Sequence, residues 1–302
     1  MAVKVGMIGL DTSHVVAFTQ LLNNPEAQYH VPGAQVICAF PGGSPDWEMS
    51  WSRLEGFTQQ VQEFGVKIVD SIAEVAQTSD AILLESVDGR VHLAQFREIA
   101  PYGKPVFVDK PFAVSYRDAK EMVDLARKYQ VPLMSSSALR YAEELTGVLA
   151  RCEKETIVGA DTYGPMAMAP TQPGLFWYGI HAVEMLYAIL GRGCRRVTAH
   201  RTEDYDVIVG EWEDGRLGTV RGNRRGNNDF GAVVHTTQGS QFVDVYANPK
   251  PYYASLLEQV MILFRQKRSP LDIEETLEIV AFIEAANLSR ETGRPVELMQ
   301  DG

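Results

Sequence analysis

Cysteine is scarce. Cys38, Cys152 and Cys194 are the only three in 302 residues, odd in number and far apart, so a disulfide framework is excluded. With no CxxC pair, they read as reduced thiols of a cytosolic protein. A basic excess is also missing, because 28 Lys and Arg stand against 39 Asp and Glu, a net charge of −11. A nucleic-acid surface carries the opposite balance, so DNA and RNA are not expected partners. No apolar run approaches the roughly 18 residues needed to cross a bilayer, and no membrane partner is expected. The opening MAVKVGMIGLDTSH lacks the h-region length and small-residue cleavage site of a signal peptide. Repeats and low-complexity tracts are absent as well. Apolar residues make up 45% and charged residues 22%, which excludes a disordered or fibrous chain. The expectation is a cytoplasmic protein of two domains, since domains average about 150 residues.

The first 130 residues alternate short apolar runs with helical periodicity. Val3–Ile8, Gln35–Phe40, Val66–Val69, Ala81–Leu84 and Pro105–Val108 read as buried strands. Helices are predicted at Val15–Leu22, Trp51–Phe64, Ile72–Ala76, Val91–Ala100 and Tyr116–Tyr129; the last carries Ala119, Met122, Val123 and Ala126 on one face. Strands alternating with helices imply βαβ units and a parallel sheet. Beyond Val131 one more strand and a helix, Ala138–Arg151, give way to a strand-rich region from about Thr156 to Val245. There Glu213-Asp214-Gly215 marks an antiparallel hairpin. Two helices, Tyr252–Gln266 and Ile273–Thr292, close the chain. The expected fold is α/β: a Rossmann-like parallel sheet over residues 1–130, then an α+β domain over 131–302 with an open, mainly antiparallel sheet.

The first strand runs into Gly9-Leu10-Asp11-Thr12-Ser13-His14, the position of a dinucleotide fingerprint. Of the three glycines required, at 9, 11 and 14, only Gly9 is present. Asp11 places a carboxylate where a diphosphate would lie and repels it unless the side chain turns away to cap the helix. His14 is a candidate donor to a phosphate or substrate. On this turn alone, Asp11, Thr12 and Ser13 capping a helix without any nucleotide is the simpler reading. After the second strand, Pro41-Gly42-Gly43-Ser44-Pro45-Asp46 offers Asp46 as a candidate ribose ligand and no Arg for a 2′-phosphate. NAD and NADP are not distinguished.

Further along stand Asp80-Ala-Ile-Leu-Leu84 with His92, and Lys104-Pro-Val-Phe-Val-Asp109-Lys110-Pro111. Ala138-Leu139-Arg140-Tyr141 and Gly174-Leu-Phe-Trp177-Tyr178-Gly179-Ile-His181-Ala-Val-Glu184 follow. Over nearly the whole chain these segments resemble the glucose–fructose oxidoreductase, inositol dehydrogenase and MocA-like (Gfo/Idh/MocA) family. They match its Glu-Lys-Pro segment, with Asp109 in place of Glu, and its D-x-G-x-H-x-x-D signature, with Trp177 and Glu184 in place of the two Asp. The resemblance implies NAD(P)-dependent hydride transfer to or from a sugar, polyol or derivative, and a homodimer or homotetramer. It implies Lys110 and His181 as catalytic proton-handling residues, His181 being the general acid/base. Tyr178 is a further catalytic candidate, and Gly9, Asp11, Thr12, Ser13, His14 and Lys110 are the cofactor-binding candidates. Arg140, Trp177, Tyr178 and His181 are the substrate-binding candidates.

The departures at Asp11, His14 and Trp177 keep two rivals open. One is a catalytically silent ligand-binding or regulatory member of the fold; the other is a lyase or epimerase that oxidises its substrate only transiently. His181 and Glu184, three residues apart on a helix, lack further ligands, so no metal is expected. Arg221, Arg224 and Arg225 read as a solvated loop or as a carboxylate or phosphate clamp. Met166 and Met168, with Trp177 and Tyr178, read as packing or as an apolar wall for a sugar ring. His92 reads as structural.

Overall fold

The computed structural model describes residues 2–299, which form two compact units. The first takes residues up to Ala113, Arg117–Ser136 and Tyr253–Ile273; the second takes Val114–Tyr116, Ser137–Tyr252 and the stretch from Glu274. The first unit therefore reaches past 130 to Ser136 and also includes most of a helix from the C-terminal part of the chain.

In the first unit, β1 (Val3–Ile8), β2 (Ala34–Phe40), β3 (Lys67–Ile68), β4 (Ala81–Leu84), β5 (Val106–Val108) and β6 (Leu133–Ser135) form one parallel sheet in the order β3-β2-β1-β4-β5-β6. The connecting helices are α1 (His14–Asn23), α2 (Glu48–Glu63), α3 (Ile72–Thr78), α4 (His92–Ile99) and α5 (Tyr116–Tyr129). Strands covered on both faces need apolar residues throughout, and Met7, Ile8, Ile82, Leu83 and Phe107 are all fully buried. Helix α3 lies directly on β1, since a Cβ added at Gly6 would come within 2.4 Å of the Val75 side chain. The strand order reverses between β1 and β4, and a crevice at such a switch point, beyond the strands' carboxyl ends, is where α/β sheets bind ligands. That crest positions the candidate site.

The second unit holds α6 (Glu143–Arg151), β7 (Ile157–Pro165), α7 (Gly179–Leu190), β8 (Cys194–Arg201), β9 (Tyr205–Trp212), β10 (Leu217–Asn223), β11 (Gly231–Thr236) and β12 (Gly239–Asp244). Helix α8 (Tyr252–Gln266) belongs almost wholly to the first unit, and α9 (Ile273–Thr292) and β13 (Val296–Glu297) end the chain. Seven strands run in the order β12-β11-β7-β10-β9-β8-β13, all antiparallel except the β7–β10 pair. The expected hairpin joins β9 to β10 with Gly215 at φ +88°. Helix α7 presses on β10 so closely that a Cβ at Gly218 would meet Leu190 and Leu186 at 2.7 and 2.8 Å. The helix expected over Ala138–Arg151 is divided: a 3-10 turn, Ala138–Tyr141, precedes α6, with Ala142 extended at ψ 131° between them.

Candidate active site

The turn after β1 depends on Gly9. Its φ is +87°, and a Cβ there would fall 2.4 Å from the Ser86 backbone nitrogen, so the turn lies against the loop after β4. The next loop is as close: Leu10 N–H donates to Pro41 O at 2.7 Å, and a Cβ at Gly42 would lie 3.4 Å from Gly9 Cα. Asp11 is 1% exposed and points inward, accepting from Ser50 Oγ at 2.5 Å and from Val87 N–H at 2.9 Å. Burial raises its pKa against the pull of those donors. The carboxylate thus staples α2 and the β4 loop to the turn; it neither meets a diphosphate nor caps α1. Ser13, at the N-cap, makes no side-chain cap bond, and no acidic residue lies in the first turn of α1. No acidic side chain of α1 itself opposes a phosphate at the helix's positive end.

His14 also turns inward. Its Nδ1 is 2.8 Å from Asp109 Oδ2, and its ring packs on Phe18 and Tyr253 with centroids 5.6 and 4.9 Å away. Asp109 is buried, which opposes its ionisation, yet the charges of His14 and Lys110 hold its carboxyl well below the usual range. Glu85, directly after β4, is fully buried. Burial first, then the like charge of Asp109, pushes its pKa well up against the pull of Lys110. Neither Glu85 oxygen has a hydrogen-bond partner among the described residues, a state that costs about 1–3 kcal/mol. Lys110 itself is 7% exposed.

Asp46 is engaged elsewhere: Arg90 holds it through two nitrogens, each at 2.9 Å, and also grips the buried Asp88 at 2.6 Å. That replaces Asp46 as a ready ribose ligand, and it places at this loop an Arg that follows β4, where a search after β2 does not look. His92 is fully buried, with Nε2 2.7 Å from Ser86 O and Nδ1 3.1 Å from Phe112 O; it staples two loops, as its structural reading implies.

In the second unit His181 lies in the first turn of α7, half-buried, with Nδ1 2.7 Å from Ser137 Oγ. Ser137 Oγ also accepts from Leu139 N–H at 3.3 Å. Edge contacts to Tyr178 and Phe230, at 5.7 and 5.4 Å, frame the imidazole, and Trp177 is buried with its ring against Tyr178 at 5.5 Å. Arg140 does not present its charge to a substrate. It is buried between Glu184, 2.7 Å from its Nε, and Glu275, 2.6 Å from its Nη2. Glu184 is thereby turned away from any shared ligand set with His181. Burial raises the Glu184 pKa even so, with Arg140 pulling it down.

The three downstream arginines separate. Arg224 joins Arg290 around the buried Asp206 and bonds Glu203 O and Thr202 O, each at 2.8 Å. Arg221 stacks over Tyr205 and, with Arg225, lines a cavity of about 440 Å³. Met166 packs beneath Gly222, whose Cβ would meet it at 2.5 Å, while Met168 is 37% exposed. Sequence reasoning missed Glu85, Arg90, Ser137 and Glu275. Only Glu85, an acid ending the apolar run Ala81–Leu84, left a local signal.

Residues 3–137 match the model of an oxidoreductase family with an NAD-binding Rossmann fold, GFO_IDH_MocA. That match spans a little under half of the chain, and over those residues the sequence is similar to the Gfo/Idh/MocA oxidoreductases. An uncharacterized oxidoreductase of Streptococcus pneumoniae is 28% identical over 81 residues, 26% of this chain and 22% of that protein. The matched stretch thus spans under a quarter of that relative's length. Similar folds extend over both units. GenD2 from gentamicin A biosynthesis, solved with NAD, has a TM-score of 0.79 at 19% identity, covering 99% of this chain and 97% of that one. The myo-inositol dehydrogenase of Lactobacillus casei, solved with NAD(H) and myo-inositol, has 0.77 at 16%, covering 100% and 98%. The β1–α1 turn suits a dinucleotide in its backbone. Gly9 and Gly42 leave a cradle that a Cβ would fill, Ser13 leaves the start of α1 without a side-chain cap of its own, and Asp11 and His14 fold inward.

Proposed function

We propose that the chain is an NAD(P)-dependent oxidoreductase acting on a sugar, polyol or derivative. The observation that carries this reading is the β1–α1 turn: two of its three glycines are gone, yet the replacing side chains are held inside the protein and the phosphate-facing backbone is kept. Gly9, Thr12, Ser13 and the first turn of α1 would hold the dinucleotide's phosphates, and Lys110 would adjoin its reactive end. A bound nicotinamide supplies the hydride acceptor or donor. A hydroxyl that gives up hydride from its carbon must also release its proton, so a base in reach is required. His181 fills that role with a half-exposed ring oriented by Ser137. Lys110 hydrogen-bonds the reacting oxygen, and Tyr178 offers ring surface to the substrate, backed by the buried Trp177 ring. Arg140 is left out of this set. The open sheet face, where Leu217 and Phe242 are 54% and 65% exposed, supports a homodimer or homotetramer. Among the described residues no helix is long and apolar enough to cross a membrane, and we take the protein to be cytoplasmic.

The test is a panel of sugars and polyols assayed for NADH or NADPH formation. Lys110→Ala and His181→Ala should each lower turnover by about 10²–10⁴-fold, the range of general acid–base catalysis, with unchanged circular dichroism. Full activity in both variants would remove these assignments. Substrate turnover without net NADH would point to a transient oxidation, and binding without turnover to a silent sensor.

A further inference from the structure

We propose that His14, Glu85 and Asp109 form a binding site for one divalent transition-metal ion of the Mn²⁺ or Zn²⁺ class. The three residues come from separate places on the crest of the first unit: the start of α1, the end of β4 and the end of β5. One ligand atom from each lies within 4.8 Å of the other two. Donors bound at about 2.0–2.2 Å to one ion can be at most about 4.4 Å apart, so the set needs to close by only about 0.4 Å at its widest.

Glu85 is the independent sign that something belongs there. It is fully buried, and neither oxygen has a hydrogen-bond partner among the described residues. Buried carboxyls are almost always partnered, and a cation held jointly with Asp109 and His14 would supply the missing partner. The donor set names the class of ion. One imidazole nitrogen with two carboxylate oxygens is a borderline set that suits Mn²⁺ or Zn²⁺. Ca²⁺ wants six to eight oxygens, which this cluster does not offer. Phe18 and Tyr253 pack on the His14 ring and leave it little freedom to turn away.

Lys110 is the charged neighbour that matters, because it acts on both carboxylates. Its ammonium and a metal ion compete for the same negative charge, so Lys110→Met should tighten metal binding. The site belongs to the first unit alone and does not depend on the dehydrogenase reading. No linear motif announces it, since Asp109 lies 95 residues from His14.

The experiment uses the full chain, freed of metal with a chelator, in about 0.15 M salt to screen its surface acids. MnCl₂, ZnCl₂ and CaCl₂ are titrated by calorimetry, and Mn²⁺ is also followed by electron paramagnetic resonance. The expected result is one Mn²⁺ or Zn²⁺ per chain, bound at least tenfold more tightly than Ca²⁺. Glu85→Gln and His14→Ala should each weaken binding tenfold or more. Glu85→Leu, which replaces an unpartnered acid by an apolar group, should fold normally and abolish the site. Should His14→Ala fail to fold, the near-isosteric Glu85→Gln carries the test. The proposal is overturned by an absence of stoichiometric binding, or by equal affinity in Glu85→Gln and the wild type, which would place the ion on surface acids.

Discussion

The hydroxyl of Ser137 sits 2.7 Å from Nδ1 of His181, and a neutral partner of that kind fixes how the ring faces without adding charge. Ser137 is therefore a positioning residue in the proposed reaction. Ser137→Ala should lower kcat about tenfold, the scale of one hydrogen bond at about 1.4 kcal/mol, with KM little changed. Ser137→Thr should restore most of it; an unaltered kcat in Ser137→Ala would detach the pair from function. The Cys194 thiol behaves differently, because burial, reinforced by Glu278, pushes its pKa from the ordinary 9.0 up to about 12. A raised thiol pKa means the unfolded chain ionises first. Wild type should therefore lose stability relative to Cys194→Ala as pH climbs from 9 towards 12, and not at pH 8. Urea midpoints at pH 8 and pH 10 check the sign. How much of this was legible differs by residue. Gly9 was readable as a turn glycine from its place after a strand. The direction of the Asp11 side chain was not, because its partners Ser50 and Val87 lie 39 and 76 residues away.

At the scale of elements, local periodicity carried far. The bounds of α5, α8 and α9 coincide with those expected from sequence; α5 and α8 present an apolar face at helical spacing, while α9 is a long apolar helix buried on most sides, with Ile279–Ile283 buried throughout. Helix α2 starts three residues before the expected Trp51, at Glu48, since Glu48-Met49-Ser50 carries no periodic apolar signal and its one apolar residue, Met49, is exposed. The segment 138–151 defeats local reading for a tertiary reason. Arg140 ties its 3-10 turn to Glu184 on α7 and Glu275 on α9, and residues that would continue a helix bend to allow it. Arg140→Ala strands the buried Glu184 and the part-buried Glu275 and should cost about 3 kcal/mol of stability, read as a lower urea midpoint. If KM alone rose, Arg140 would be a substrate ligand after all. Gly9→Ala forces a strained φ, worth about 1–3 kcal/mol, into contact with Ser86. It should lower the melting temperature and, more than Arg140→Ala, impair nucleotide binding.

For the whole molecule, the sequence similarity over residues 3–137 and the fold likeness across both units fit an NAD-type Rossmann unit and a second unit built on an open mixed sheet. On the outward face of that sheet Phe242 is 65% exposed, and Phe242→Glu should shift the chain towards monomer in light scattering if the face joins copies. The net charge of −11 argues against nucleic acid at this scale too. The central claim is that the altered β1–α1 turn still takes a dinucleotide. Titrating the purified chain with NADH and NADPH, by nicotinamide fluorescence and calorimetry, tests it most directly. Micromolar binding of one of them, lost in Gly9→Ala, is the predicted result. No binding of either, reduced or oxidised, would contradict it and make Asp11 and His14 the marks of a cofactor site given up.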